Sequence, residues 1–364
     1  MRRKNGFTAL IITIIIFLLL LASCTAQQPA ANNTANQDSG TAQGSDREPI
    51  KLTFAHYQAI GSCFDIAINE WTKQVTEASD GLITFQIFGG GSLGAAADHY
   101  DMVRSGTCDI AYSFGGIHSG IFKTYETFAL PMLGFTSAVQ ASEAHWDYYE
   151  NYGFAKEEMK NVHLLSVHSC TPYVVCTVDL KIESADDLKG HGIRVAGGPI
   201  NRFFTALGAI TMTVPITDIY ENLEKKITEG CVIGIDGLPG YKLTDLITNV
   251  LTTGVQVGTY YTWMNIDTWN GLPDWAKDIF DEYGGMNGAI FFGEMTEEYD
   301  AKTYADLRSE GKIELNELSA EEFANWEATA MDITKTWIEE LNAAGHDGQA
   351  IYDTVIQLRD KYAK

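Results

Sequence analysis

Basic residues are scarce in this chain of 364 residues: 25 Lys and Arg stand against 48 Asp and Glu, a formal net charge of -23. A phosphate backbone recruits basic stripes, so this composition excludes nucleic acid as a partner, and an anionic membrane surface gains no hold on it by charge. Cysteine is thin as well, with six residues at positions 24, 63, 108, 170, 176 and 231. Setting Cys24 aside leaves an odd number, which does not make a fully paired disulfide scaffold. Cys170 and Cys176 stand close enough to pair across a tight turn, and the other role open to these residues is that of small buried hydrophobes. CxxC, HExxH, EF-hand and GxSxG patterns are all missing, and the eight histidines are scattered. His163 and His168, five apart in a strand-like stretch, point to opposite faces, so no metal and no cofactor is expected.

The N-terminus is a different material from the rest. Arg2, Arg3 and Lys4 precede an almost wholly apolar run over residues 9–22 that ends at Ser23-Cys24. This is shorter than the roughly 20 apolar residues a bilayer span asks for and reads as a secretory signal, the alternative being a retained anchor. Residues 25–49 contain no aromatic residue and no Leu, Ile, Val or Met. Such a segment cannot offset the entropy of ordering, and a flexible tether is expected, with the folded body beginning near Ile50. Lipid chains on Cys24 would give a local anchor to a body that charge keeps off the membrane.

From there strands and helices alternate. Strands are expected over 51–55, 82–88 and 109–114, with helices over 59–78 and 94–104 between them. This order predicts an α/β fold with a largely parallel sheet covered on both faces. A second unit repeats the theme, with strands over 162–167, 173–178, 192–196, 211–214 and 231–235. Its helices fall over 202–207 and from Thr217 to Ile227, and Ser184 with Asp187 forms a further helix start. The C-terminal third is helical, over 273–283, 295–309, 319–344 and 349–362, with Ser319 and Glu322 as a capping box. In the helix after Ser319, Phe323, Trp326, Met331 and Ile333 or Ile338 recur at helical spacing as core residues.

Few residues suggest chemistry. The run Gly89-Gly-Gly-Ser-Leu-Gly94 satisfies GxGxxG. A complete strand and helix precede it, however, and Asp109 opens the next strand where a ribose-binding acid would close it, so a tight turn before a helix at Leu93 is the plainer expectation. Arg194 is more informative. Its neighbours Ile193 and Val195 face the core, so Arg194 points to the other side, where its guanidinium can fork onto a ligand carboxylate or form an internal ion pair. Arg202 reads as structural. Tyr57, Phe114, Tyr173 and Trp269 fall at strand ends or in loops, where aromatic faces line either an organic ligand or the core. Asn265 offers a ligand or a backbone partner one polar contact.

Several pieces together match a known pattern: residues 85–94 followed by Met102-Val-Arg-Ser-Gly-Thr-Cys-Asp109; Leu188-Lys-Gly-His-Gly-Ile-Arg-Val195; Leu207-Gly-Ala209; Val214-Pro-Ile-Thr-Asp-Ile-Tyr220; and Met264-Asn265 with Trp269-Asn-Gly-Leu-Pro273. In this order and spacing the chain, from Leu52 to about Lys361, resembles the DctP-type solute-binding proteins of tripartite ATP-independent periplasmic (TRAP) transporters. Leu21-Ala22-Ser23-Cys24 looks like a bacterial lipobox, with Cys24 as the acylated residue.

The resemblance implies a two-domain clamshell with crossover hinge strands and a long helix, near 275–309, spanning both domains. Residues 1–23 would be the signal peptide and 24–49 the lipidated cysteine and tether. Domain I would comprise 50–170 and 263–302, and domain II 171–262 and 303–364. Arg194 would bind the carboxylate of an organic acid, with Tyr57, Phe114, Tyr173, Asn265 and Trp269 shaping the pocket. The implied protein is a monomer, lipid-anchored outside a bacterial membrane, that docks on TRAP permease subunits coupled to sodium and performs no chemical step. The same clamshell physics would serve an ABC-type binding lipoprotein, whereas a surface-anchored enzyme would need a nucleophile and base that the sequence does not pair. Over 228–237 the chain departs from the family, with an apparent three-residue insertion, Ile233 at the usual Asp position and Gly237 where some members place a ligand-contacting Asn. The stretch from His168 to Tyr173 lacks the second arginine of sialic-acid binders, which points to a smaller or more apolar acid.

Overall fold

A computed structural model of the chain describes residues 47–363; the signal, the lipobox with Cys24 and the tether up to residue 46 lie outside the described residues. The described residues form eleven strands: β1 Ile50–His56, β2 Ile83–Phe88, β3 Ile110–Phe114, β4 Val162–Ser169, β5 Val174–Thr177, β6 Gly192–Val195, β7 Ile210–Thr213, β8 Gly230–Ile233, β9 Asn249–Leu251, β10 Thr259–Asn265 and β11 Glu314–Asn316. They make two sheets, of order β2-β1-β3-β10-β4 and β11-β9-β5-β8-β6-β7. β3 is buried along its whole length, as a central strand covered on both faces must be.

Neither sheet is purely parallel. β10 runs antiparallel between β3 and β4, and β5 runs antiparallel to both β8 and β9. The reason is connectivity: β5 and β10 are the strands that have just crossed from the other lobe. Each enters its sheet at the edge where the carboxyl ends of the parallel strands lie, and so runs back the other way. The two crossovers, residues 170–173 and 252–258, also hold each other. Tyr173 N–H donates to Gln256 O at 2.7 Å and Val255 N–H donates to Tyr173 O at 2.9 Å.

The long helix implied near 275–309 is Gly285–Glu310, and the helix expected over 273–283 is a separate one, Asp274–Tyr283. The break falls at Gly284, where a Cβ would lie 2.5 Å from Phe280 O and 2.6 Å from Leu165 O, followed by Gly285 at φ 56°. The longer helix packs along β4 and helix Ala138–Asn151 in the first lobe. Its end carries Leu307 into the second-lobe core beside Cys176 and Leu238, so this helix is the third link between lobes.

Helix Ala320–Ala343 buries Trp326, Ala330, Thr334, Trp337 and Leu341, a stripe spaced by three and four residues. Trp326 meets Phe203 and Phe204 edge-on at 5.8 and 5.9 Å, while Trp337 Nε1 donates to Thr127 Oγ1 at 3.2 Å. Phe323 and Met331, expected in the core, are instead 39% and 45% exposed, because five positions of rotation put Met331 about 140° away from Trp326. Helix Gly348–Lys361 packs on Ala138–Asn151, with Tyr362 Oη donating to Asp147 at 2.8 Å. This end of the chain therefore lies with the first lobe, whereas the expected boundaries give all of 303–364 to domain II. Among the described residues five cysteines are buried free thiols, and Cys176 stands opposite Cys231 instead of pairing with Cys170.

Candidate functional site

Both sheets direct the carboxyl ends of their parallel strands toward the crossovers, the position where open α/β sheets bind ligands. Tyr57 follows β1, Phe114 ends β3, Arg194 lies near the end of β6, and residues 234–236 follow β8. Tyr173 sits in the first crossover and Tyr260 begins β10 opposite Phe114.

Arg194 lies between Ile193 and Val195, which are fully buried. Its own side chain is 5% exposed, and its Nε donates to Val214 O at 2.9 Å. Among the described residues no carboxylate pairs with it, so the internal ion pair that the sequence left open is not formed. Burial lowers its pKa from the ordinary arginine value, and Cys231, Tyr173, Tyr57 and Tyr241 are the polar groups that act against this. Taking a guanidinium out of water costs several kcal/mol unless an anion compensates. A buried arginine with two nitrogens free to donate is a receptor for a planar oxyanion. Arg202, by contrast, pairs at the surface with Glu340 at 2.6 Å.

Aromatic rings enclose this charge. Tyr57, Phe114 and Tyr173 are each 5% exposed. Phe114 lies 6.4 Å from Tyr173 and 5.2 Å from Tyr260, centroid to centroid, and the Tyr173 and Tyr260 hydroxyls share a hydrogen bond of 2.7 Å. Burial pushes the phenols of Tyr57, Tyr173 and Tyr260 far up, which keeps them neutral. Tyr241 of the second lobe donates to Gln58 Oε1 of the first at 3.0 Å, and a Cβ on Gly240 would fall 2.7 Å from Ser62 Cβ. The lobes are thus closed on one another here.

Two carboxyl groups complete the neighbourhood. Burial pushes Asp236 up to about 6. Asp300, on helix Gly285–Glu310, accepts from Thr171 Oγ1 of the first crossover, and burial together with the nearby Asp236 pushes it up to about 8.

The structure brings Arg194, Tyr57, Phe114 and Tyr173 together and leaves Asn265 and Trp269 apart. Asn265 pairs with Val162 at the opposite end of the sheet. Its Oδ1 accepts from Asp267 and Thr268 N–H at 3.0 and 2.9 Å, and its Nδ2 donates to Val103 O at 2.8 Å, so this side chain caps helix Ile266–Gly271. Trp269 on that helix stacks on His163 at 3.5 Å. The strand direction of β10, set by its crossover, is what carries both residues away. Sequence reasoning missed Tyr241, Tyr260, Asp236 and Asp300. For Asp236 a signal existed, a lone acid just beyond the carboxyl end of a strand in the segment that departs from the family. The glycine run forms a turn with Gly90 and Gly91 at positive φ, and the α-helix after it, His99–Arg104, starts later than expected.

Among the described residues no group of three or more His, Cys, Asp and Glu is placed to hold a metal ion, and no helix is long and apolar enough to cross a membrane. Residues 54–340 match the family model DctP, bacterial extracellular solute-binding protein, family 7. The chain is 25% identical to a TRAP solute-binding protein from an unidentified marine microbe, specific for aromatic acid ligands and solved with 3-hydroxybenzoate. The TM-score is 0.83, with 87% of this chain and 100% of that one covered. A TRAP solute-binding protein from Rhodoferax ferrireducens, solved with copurified benzoate, is 25% identical, with a TM-score of 0.82 over 86% of this chain and 98% of that one. The outer membrane transporter protein TsaT of Comamonas testosteroni is 22% identical over 79% of this chain and 84% of its own length.

Proposed function

The chain belongs to the bacterial extracellular solute-binding proteins of family 7, and from that premise we propose that it captures an organic acid anion, clamps its carboxylate on Arg194, and delivers it to a TRAP permease. As a solute-binding protein of this family it works outside the cytoplasm and releases its solute unchanged. The observation that carries the proposal is a guanidinium 5% exposed, anchored through Nε, and left without a carboxylate partner in a ring of aromatic side chains. An aromatic carboxylate suits those walls: its ring packs on Phe114, Tyr173 and Tyr57 while its charge offsets the desolvation of Arg194. Two relatives with known structures, the marine protein with 3-hydroxybenzoate and the Rhodoferax protein with benzoate, support this class. Closure over the bound acid, marked by the Tyr241–Gln58 bond, would present one joined surface to the permease. Sodium coupling of that permease and acylation of Cys24 belong to the same proposal, on the strength of the family resemblance.

Calorimetry of the wild type and of Arg194→Lys and Arg194→Met with a panel of aromatic, aliphatic and sugar acids tests the proposal. Benzoate-type acids should bind the wild type, and a concentration of 100 times Kd should add about 2.7 kcal/mol to its stability. Lys keeps the charge and loses the fork, so affinity should fall at least about tenfold, with Met falling further. Equal affinities in wild type and Arg194→Lys would refute the clamp.

A further inference from the structure

Arg194 is not the only charged group that reaches the aromatic cluster. Asp236, just beyond β8, is 7% exposed. A Cβ on Gly234 would fall 2.1 Å from its Oδ1 and 3.5 Å from Tyr173 Cε1. The missing side chain of Gly234 therefore makes the room in which this carboxyl sits beside the Tyr173 ring. The Tyr57 and Tyr241 hydroxyls both feel the charge of Arg194 and that of Asp236. Two opposite charges thus flank the same pair of phenols, and yet among the described residues they form no ion pair with each other. In a desolvated cluster such charges attract strongly. They stand as a cationic pole and an acidic pole, each near Tyr57 and Tyr241.

Asp300 stands behind the acidic pole. It is 4% exposed, Thr171 Oγ1 and the Asp236 N–H are directed at its carboxyl, and its Oδ1 is buried without a hydrogen-bond partner. Two buried carboxyls side by side cannot both ionise without cost. The Asp236 carboxyl, beside the Tyr173 ring, is placed to accept a hydrogen bond on the Tyr173 side of the cluster.

The geometry points to Asp236 as a specificity-determining residue: it accepts a hydrogen bond from a donor group, a hydroxyl or an ammonium, carried by the same carboxylate that Arg194 clamps. This rests on the carboxylate-binding function proposed above and narrows its solute to acids with a donor at the end remote from the carboxylate. A benzoate-sized ring between the poles places such a donor on the ring itself. Without a donor from the solute, the Asp236 carboxyl stays buried and underpaired when the lobes close, and such a site rejects the analogue that lacks the group.

The test is calorimetry at pH 7.5 with benzoate, the three hydroxybenzoates and 3-(aminomethyl)benzoate, on the wild type, Asp236→Ala and the isosteric Asp236→Asn. The wild type should bind at least one donor-bearing acid about tenfold or more tightly than benzoate. In Asp236→Ala that ratio should collapse to within about threefold, a change in preference that a purely structural role would not produce. Should the alanine variant fail to fold, Asp236→Asn decides, because it removes the charge and keeps the shape; loss of the ammonium advantage or a clear reduction of the hydroxyl advantage is expected. An unchanged ratio in the variants, or a wild type that binds benzoate through Arg194 and gains from no donor position, overturns the assignment of Asp236 alone. A wild type that binds none of these acids overturns the carboxylate-binding function with it.

Discussion

Replacing Asp300 by Asn should make this protein more stable, by an amount that grows with pH. Asp300 is 4% exposed, and burial beside Asp236 pushes it up to about 8, against about 3.9 in the unfolded chain. For a carboxyl raised in the folded state, stability is intact below the unfolded pKa and is lost as pH rises through the folded one. Linkage gives a cost of about 1 kcal/mol at pH 4.5 and about 4 kcal/mol at pH 7, levelling off above pH 8. Asparagine keeps an oxygen to accept from Thr171 and cannot ionise, so the variant should escape that cost. Paired denaturant titrations of wild type and Asp300→Asn at pH 4.5 and pH 7 check the difference directly, and the titrating groups far from Asp300 cancel in the comparison. Expressed as melting temperature, the gain at pH 7 corresponds to roughly 8 °C. A variant that is no more stable than wild type at pH 7, or equally shifted at both pH values, would refute the argument that this carboxyl is held protonated by burial and Asp236.

Two further substitutions separate the closing of the lobes from the integrity of each one. Gly240→Ala places a Cβ 2.7 Å from Ser62 Cβ and 3.1 Å from Ser62 Cα, a contact made across the closed lobes. Its affinity for the solute should fall about tenfold while the ligand-free melting temperature stays near wild type, as calorimetry and thermal melts together would show. Asn265→Ala removes the acceptor for Asp267 and Thr268 and the donor to Val103 at the far end of the sheet. It should cost about 1–2 kcal/mol of stability with little change in solute affinity, and a large loss of affinity in a variant that folds normally would return Asn265 to the site.

Local pattern decided a good deal. The alternation of apolar runs with capped amphipathic stretches is enough for two α/β units and a helical third, because burial on a pleated or helical surface imposes its period on the residues themselves. Arg194 was legible for the same reason: an arginine between two core aliphatics has one side of its strand left to it, and the structure shows that side buried and free of a carboxylate. The resemblance placed the hinge crossovers and the carboxylate clamp in one family architecture. Tertiary structure alone decided which ends of the strands come together. Asn265 and Trp269 are only four residues apart in sequence, and both look able to line a pocket. β10 enters its sheet from the hinge and runs away from it, which leaves them at the opposite edge. Asp236 and Tyr241 flank one short helical turn, while Tyr260 and Asp300 come from two other segments, and no spacing rule connects the three. Their partnership exists because closing two lobes removes water from segments that lie apart in the chain.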